Sequence, residues 1–246
     1  MKLRIQAISL FFVFLFLALT LPTAIFSQTA DSISISNLKQ LSIEELMNIE
    51  VTSVSKRPEK LTEVASAIQV ITRDDIQRSA ATSIPEALRL SPNLQVTQVN
   101  SHHWNISARG FNSAFSNKLL VMIDGRTVYS PLFAGVFWDA QNVLLEDVER
   151  IEIISGPGGT LWGANAVNGV INIITKNSSD TQGLFLSAAA GSSLKRSAEA
   201  RYGRKIGSNI SYRIYGQHYG RRPTLLADGN ENTDKWNLTQ GGFQID

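Results

Sequence analysis

Apolar and polar residues follow two different rules along this chain, and the rule changes near residue 176. Before it, apolar residues stand in short solid runs separated by glycine, proline and capping residues. After it they take alternate positions over long stretches. Solid runs predict buried strands and packed helix faces; alternation predicts strands with two unlike faces.

The first part reads as a string of short elements. Residues 67–72 (AIQVIT) predict a strand, with Thr72 capping a short helix through Arg78. Ser83-Ile84-Pro85-Glu86 predicts a second helix start, with a capping serine, proline in the first turn and glutamate at the reciprocal position. Ile84, Ala87 and Leu88 share its apolar face, and Ser91-Pro92 ends it. Residues 94–99 and 105–109 predict short strands, and 119–123 (LLVMI) a fully buried one. Asp124-Gly125 is a hairpin turn into residues 126–129. Residues 144–148 predict a helical turn. Two β-branched runs, 151–154 and 170–175, then flank Gly156, Gly158, Gly159, Gly163 and Gly169. Strands joined through so much glycine predict a tight packing unit.

Residues 177–182 form a polar linker. In residues 197–204, Ser197, Glu199 and Arg201 alternate with Ala198, Ala200 and Tyr202; in 210–221, Ile210, Tyr212 and Ile214 alternate with Ser211, Arg213 and Tyr215. Residues 236–246 are a further strand, with Gly241-Gly242 shifting its phase. This alternation, with repeated tyrosine, is the pattern of a membrane β-barrel. A soluble antiparallel sheet shows the same alternation, so both readings stand at this point. The fold class expected is α+β: a small domain of mixed short strands and helices over 56–176, followed by antiparallel strands over 177–246.

The N-terminus speaks to compartment. Lys2 and Arg4 are the only charges before Asp31, residues 8–21 are almost wholly apolar, Pro22 breaks the run, and Ala24, Ser27 and Ala30 follow. This is the layout of a secretory signal peptide over residues 1–27. Its apolar run is shorter than the ~20 residues of a spanning helix. Residues 28–48 form a leader, polar at first, with Ser42 and Glu45 at capping-box spacing before a short helix. Without Lys2 and Arg4 the chain holds 21 basic and 21 acidic residues, which argues against nucleic acid as a partner. It has no cysteine, so neither a disulfide framework nor a thiolate metal site is possible.

Several motifs follow one another in a specific order: an extended segment at 49–55, SIPEALRLSPNLQV at 83–96, ARGF at 108–111, VMIDGRTV at 121–128 and VERIEIISGPGGTLWGANAVNGVINIITK at 148–176. Across residues 50–176 this succession resembles the plug domain of TonB-dependent outer-membrane receptors. The closing motif is the most diagnostic part, and Asp124, Gly125, Gly156, Pro157, Gly163 and Gly169 carry the structural positions. The alternating tail resembles the first barrel strands, which implies that 177–246 are antiparallel strands of an incomplete transmembrane β-barrel. The resemblance implies a barrel of about 22 strands enclosing the plug. It implies import across the cell outer membrane of a scarce solute, an iron–siderophore or other metal chelate first among them. Energy would come from the inner-membrane proton gradient through TonB with its ExbB and ExbD partners, and outer-membrane lipid would surround the barrel. It implies neither an enzyme nor a bound cofactor.

Particular residues take roles from the same resemblance. Ile49, Glu50, Val51, Thr52, Ser53, Val54 and Ser55 match the strand that TonB grips; a strand or linker of the plug itself is the other reading. An exposed extended segment suits β-augmentation. Arg109 matches an arginine that pairs with barrel carboxylates and latches the plug. Family members carry a second arginine just before the Gly-Pro of the closing motif, where this chain has Ser155. The latch is therefore expected to be halved or rewired. His102, His103 and Trp104, with Tyr129, Phe133, Phe137 and Trp138, are candidates to face the ligand, because aromatics suit flat chelates; packing against the barrel wall is the equal alternative. For the His pair, an ordinary solvated or hydrogen-bonded pair is favoured over a metal site.

Only 70 residues follow Lys176, enough for about four spanning strands. Open edges do not persist in lipid, so the chain is expected to be plug plus opening strands of a larger receptor. The competing function is a soluble periplasmic plug-like binding or signalling module, which would place the chain in the periplasm. A secreted hydrolase finds no Ser/His/Asp set and no paired-carboxylate signature, and Gly156–Thr160 lacks the Gly-Lys-Ser/Thr ending of a phosphate loop.

Overall fold

The computed structural model describes residues 50–246 except 54–56, 58, 64, 65, 111, 112, 114–117 and 134. The signal-peptide and leader expectations, and Ile49, Val54 and Ser55, lie outside the described residues. All described residues belong to one compact unit, Glu44–Asp246.

Two short strands come first, β1 (Glu50–Val51) and β2 (Glu59–Lys60), paired antiparallel. Then follow β3 (Ile68–Thr72), helices α1 (Arg73–Arg78) and α2 (Ile84–Leu88), strands β4 (Leu94–Gln98) and β5 (Trp104–Ala108), and β6 (Leu119–Ile123) with β7 (Arg126–Thr127). A 3-10 turn at Leu145–Asp147 leads into β8 (Val148–Ser155), the short α3 (Gly159–Trp162) and β9 (Gly169–Thr175). The central sheet has the order β3-β8-β9-β6-β7. β6 and β9 run parallel, while β3–β8, β8–β9 and β6–β7 are antiparallel.

The two β-branched runs pair as expected, Ile154 opposite Val170 and Ile151 opposite Ile173. Alternation along β8 splits the sheet into two faces. Ile151 and Ile153 join Ile171, Ile173, Val121 and Ile123 in the main core, covered by Ile76 of α1, Ile84 and Leu88 of α2, and Trp104 and Ile106 of β5. Ile154 and Val170 turn the other way and meet Leu120, Met122 and Ala166 in a smaller cluster.

Local chemistry sets the element ends. Thr72 and Asp75 form a reciprocal capping box at α1, with Thr72 N–H donating to Asp75 Oδ2 at 2.9 Å and Asp75 N–H to Thr72 Oγ1 at 3.2 Å. At α2 the expected capping serine makes no cap hydrogen bond. Glu86 instead takes the N–H and hydroxyl of Thr82, both at 2.7 Å, one residue earlier, and Ser83 Oγ is buried without a partner. Asp124 and Gly125 both have positive φ, 48° and 76°, as a two-residue turn of the I′ type requires. The Asp124 carboxylate accepts Thr175 N–H at 2.7 Å and its hydroxyl at 2.9 Å, tying this turn to the end of β9.

After a second 3-10 turn, Ser178–Asp180, strands β10 (Gly183–Ala189), β11 (Leu194–Ile206), β12 (Ile210–Arg221) and β13 (Trp236–Ile245) form an antiparallel sheet in chain order. The sequence pattern misses β10. Its Leu184 and Leu186 stand outward while Phe185 shares the inward side with Ser187, so no clean apolar–polar alternation marks it.

Candidate functional site

The four-stranded sheet is inside-out by the standard of a soluble protein. Its buried face is polar and charged, with Arg201, Ser211, Arg213, Gln217 and Arg221 turned toward the α+β domain. Its outward face carries Leu184, Leu186, Tyr202, Ile206, Ile210, Ile214, Phe243 and Ile245, all exposed. A soluble sheet buries its apolar face. Apolar-out and polar-in is the membrane-barrel arrangement, and it separates the two readings that alternation alone leaves open.

The polar face holds the α+β domain by a ladder of contacts along β12. Near its start, Ser211 Oγ accepts from Ser178 Oγ at 2.8 Å. Next, Asp147 sits between Arg201, its hydrogen-bonded ion-pair partner, and Arg213, at 3.7 Å. Arg213 also donates to Lys176 O at 2.9 Å and to Thr175 Oγ1 at 2.8 Å. Further along, Tyr219 Oη donates to Asp139 O at 3.2 Å, and Arg221 meets Glu86 at 3.5 Å. Lys176 lies 3.6 Å from Glu146, which also pairs with Arg73. Burial and the neighbouring Arg73 hold the Lys176 amine below the ordinary lysine range, with Glu146 and Asp147 opposing that shift.

Beyond the far end of β12, the segment 222–235 clasps the domain. Asp234 accepts Ser101 N–H at 2.8 Å, Thr224 N–H at 2.9 Å and Thr224 Oγ1 at 2.8 Å. The Ser101 hydroxyl donates to the Asp234 carbonyl, and His102 stacks on Trp236 with ring centroids 4.2 Å apart. Burial pushes the Asp234 carboxyl up, but the donors from Ser101 and Thr224 outweigh it and hold the group below the ordinary aspartate range. A folded value below the unfolded one means the clasp contributes in full above about pH 4 and is lost as pH falls through the lowered value. A carboxyl NMR titration of Asp234 will therefore show its midpoint below about 4.

A third cluster lies on the second face of the central sheet. Glu152, in the middle of β8, has no exposed surface. Its carboxylate accepts Arg150 Nε at 2.9 Å, Thr52 N–H at 3.1 Å, Ser53 N–H at 2.9 Å and the Ser53 hydroxyl. Asn172, opposite Glu152 in the β8–β9 register, donates to Ser53 Oγ at 3.1 Å, and Trp162 Nε1 donates to Ser53 O at 2.8 Å. The segment that the sequence suggests TonB grips is thus seated on the domain at Thr52 and Ser53, with Val51 buried beside them.

The remaining sequence candidates are dispersed. Trp104 and Trp138 belong to the main core, and the Arg89 guanidinium lies 5.0 Å over the Trp104 ring. Tyr129 and Phe137 are exposed, and Phe133 meets Phe137 edge-on with centroids 4.9 Å apart. Arg109 is exposed with φ +57°, its guanidinium beside Gly156, and meets no carboxylate among the described residues. Among the described residues, the ion pairs that join domain and sheet place the acids, Asp147 and Glu86, on the domain and the arginines on the sheet. Sequence reasoning missed Glu152, Asn172 and Asp147. A charged or amide residue inside a β-branched run was the available signal for the first two.

Residues 60–170 match the family model described as the TonB-dependent receptor plug domain. The chain carries a plug domain of the TonB-dependent receptor type. It is 33% identical over 150 residues to the vitamin B12 transporter BtuB of Vibrio vulnificus, covering 60% of this chain and 24% of that protein. The chain thus spans about a quarter of the length of the curated relatives it matches. Among solved structures, the ferric yersiniabactin uptake receptor FyuA of Yersinia pestis aligns with a TM-score of 0.55 at 18% identity, over 73% of this chain and 28% of that one. The ferripyoverdine receptor of Pseudomonas aeruginosa aligns with a TM-score of 0.57 at 18% identity, over 72% and 23%. These two likenesses establish the shared fold. The matched proteins are receptors and transporters, in keeping with the reading of the chain as no enzyme. In family terms, the α+β domain is the plug, and β10–β13 are the antiparallel strands that follow it.

Proposed function

We propose that this chain supplies the plug and first wall strands of an outer-membrane import receptor that takes up a metal chelate, with energy delivered by TonB and its ExbB and ExbD partners. The observation that carries this reading is the polarity of the interface. A plug seated on charged and hydrogen-bonding groups can part from its wall without exposing a broad apolar core, because water replaces the lost partners. The outward apolar face fits lipid, which favours this reading over a soluble periplasmic module. The relatives' names point to cobalamin and ferric siderophores as the chelates to test first.

Residues 49–55 are the segment that TonB grips in this proposal, and the 222–235 clasp with His102, His103, Tyr129, Phe133 and Phe137 forms the ligand side. Arg109 is kept as a latch residue whose partners lie on other wall strands. Proline at residue 51 removes a backbone donor needed for strand pairing. Val51→Pro should abolish uptake of radiolabelled cobalamin or ferric siderophore by cells producing the receptor, while the same ligand still binds their membranes. Undiminished uptake in that variant would overturn the assignment.

A further inference from the structure

We infer that Glu152 is the restraint that keeps the TonB-facing segment docked on the plug, a positioning residue whose carboxylate draws most of its donors from that segment. The inference rests on the proposed role of residues 49–55 for its biological meaning, though the docking itself is independent of TonB.

A carboxylate in the middle of a β-branched strand is costly unless its lone pairs are filled. Arg150 on the same strand fills one place. Thr52 N–H, Ser53 N–H and the Ser53 hydroxyl fill the others. In return all three polar groups of Ser53 are engaged: its N–H by Glu152, its hydroxyl by Glu152 and Asn172, and its carbonyl by Trp162. By contrast, among the described residues β1 and β2 join through two residue pairs, Glu50 with Lys60 and Val51 with Glu59. The hold on the segment is therefore concentrated at one buried charge. Pulling Ser53 away strips that charge of most of its donors at once, so release is cooperative. β8 also begins beside Asp147, the residue ion-paired to the wall. Tension on the segment thus enters the plug through a strand fixed to the wall at its start.

The side chain's charge, more than its shape, does the holding. Glutamine has the same size but no charge and only one accepting end: whichever way its amide turns, the nitrogen meets donors, either Arg150 Nε at one place or the Thr52 and Ser53 N–H groups at the other. Glu152→Gln should release the segment without emptying the site.

The absence of cysteine in the chain makes the test direct. Val51→Cys is buried while the segment is docked, and Ala87→Cys, on α2 in the main core, reports on unfolding of the plug. Each is introduced singly, and its rate of thiol alkylation is measured in outer-membrane vesicles without TonB. Adding Glu152→Gln is expected to speed Val51→Cys labelling by about tenfold or more, the factor that loss of a charge-assisted hydrogen bond sets, with Ala87→Cys still protected. Trp162→Phe, which removes the indole N–H that donates to Ser53 O and keeps an aromatic ring in place, should give a smaller rise in the same direction. Equal protection of Val51→Cys with and without Glu152→Gln overturns the inference. If Glu152→Gln exposes Ala87→Cys as well, Trp162→Phe decides: a faster Val51→Cys rate with Ala87→Cys protected supports the restraint, and an unchanged rate overturns it. Because TonB is absent, this result stands apart from the uptake test of Val51→Pro.

Discussion

Asp147→Ala is expected to destabilise the plug by about 3–5 kcal/mol, the range typical when one partner of a buried ion pair is removed. The Asp147 side chain is 3% exposed, and its partners Arg201 and Arg213 are 10% and 5% exposed. The two arginines do not suffer equally. Arg213 keeps Thr175, Lys176 and Gln244 as acceptors. Arg201 keeps the Phe185 ring, 5.2 Å from its guanidinium carbon, but loses its carboxylate. The loss therefore falls mainly on an uncompensated Arg201. Adding Arg201→Ala to Asp147→Ala should recover part of the stability, a coupling that a double-mutant cycle measures. Urea unfolding followed by tryptophan fluorescence reads it, since Trp104 and Trp138 lie in the plug core. A loss below about 1 kcal/mol, the worth of an exposed pair, would show that water already reaches this contact.

Gly169→Ala is expected to cost about 3 kcal/mol, the upper end for forcing extra volume into a packed core. Gly169 stands where three strands meet, paired with Ser155 of β8 and Leu119 of β6. A Cβ there would lie 2.4 Å from the Ile154 carbonyl oxygen and 3.3 Å from Leu119 Cδ2. The first neighbour is backbone and cannot rotate away, so β8 and β9 must separate. Gly163 provides the contrast. Its φ is +85°, but no atom lies within 4 Å of the place an alanine methyl would take, so Gly163→Ala should cost only the left-handed penalty of about 1–2 kcal/mol. The same unfolding experiment ranks the two, and a larger loss at Gly163 would refute the steric account.

What could be read from the sequence was what depends on neighbours in the chain. The Thr72 cap, the Asp124-Gly125 turn and the pairing of the two β-branched runs each follow from residues within one short segment. The parallel pairing of β6 with β9 did not, because no local signal states which distant strand lies alongside. The Ser83 cap failed by one residue: Glu86 found better donors on Thr82, leaving the serine hydroxyl inside the fold. Which face of β11 and β12 turns inward was also hidden, since alternation gives two faces without saying which is wet. For the site, the seven-residue segment was singled out by its extended, β-branched character, whereas the seat of Thr52 and Ser53 was overlooked. Glu152 looked like one polar letter in an apolar run, and its partners Thr52 and Ser53 lie about a hundred residues earlier. Ser155 signals a departure from the usual latch, but the charges that join plug to wall, Asp147 against Arg201 and Arg213, only become neighbours in three dimensions.

The sign of those interface charges restricts how such receptors can exchange parts. A foreign plug grafted into this wall, bringing a neutral side chain in place of Asp147 or Glu86, would strand Arg201 and weaken the seat of Arg221. Recombination between homologues would yield sound hybrids only when the acid and its arginine cross over together. On this account the domain and the strands it rests on would have to be inherited as a matched set.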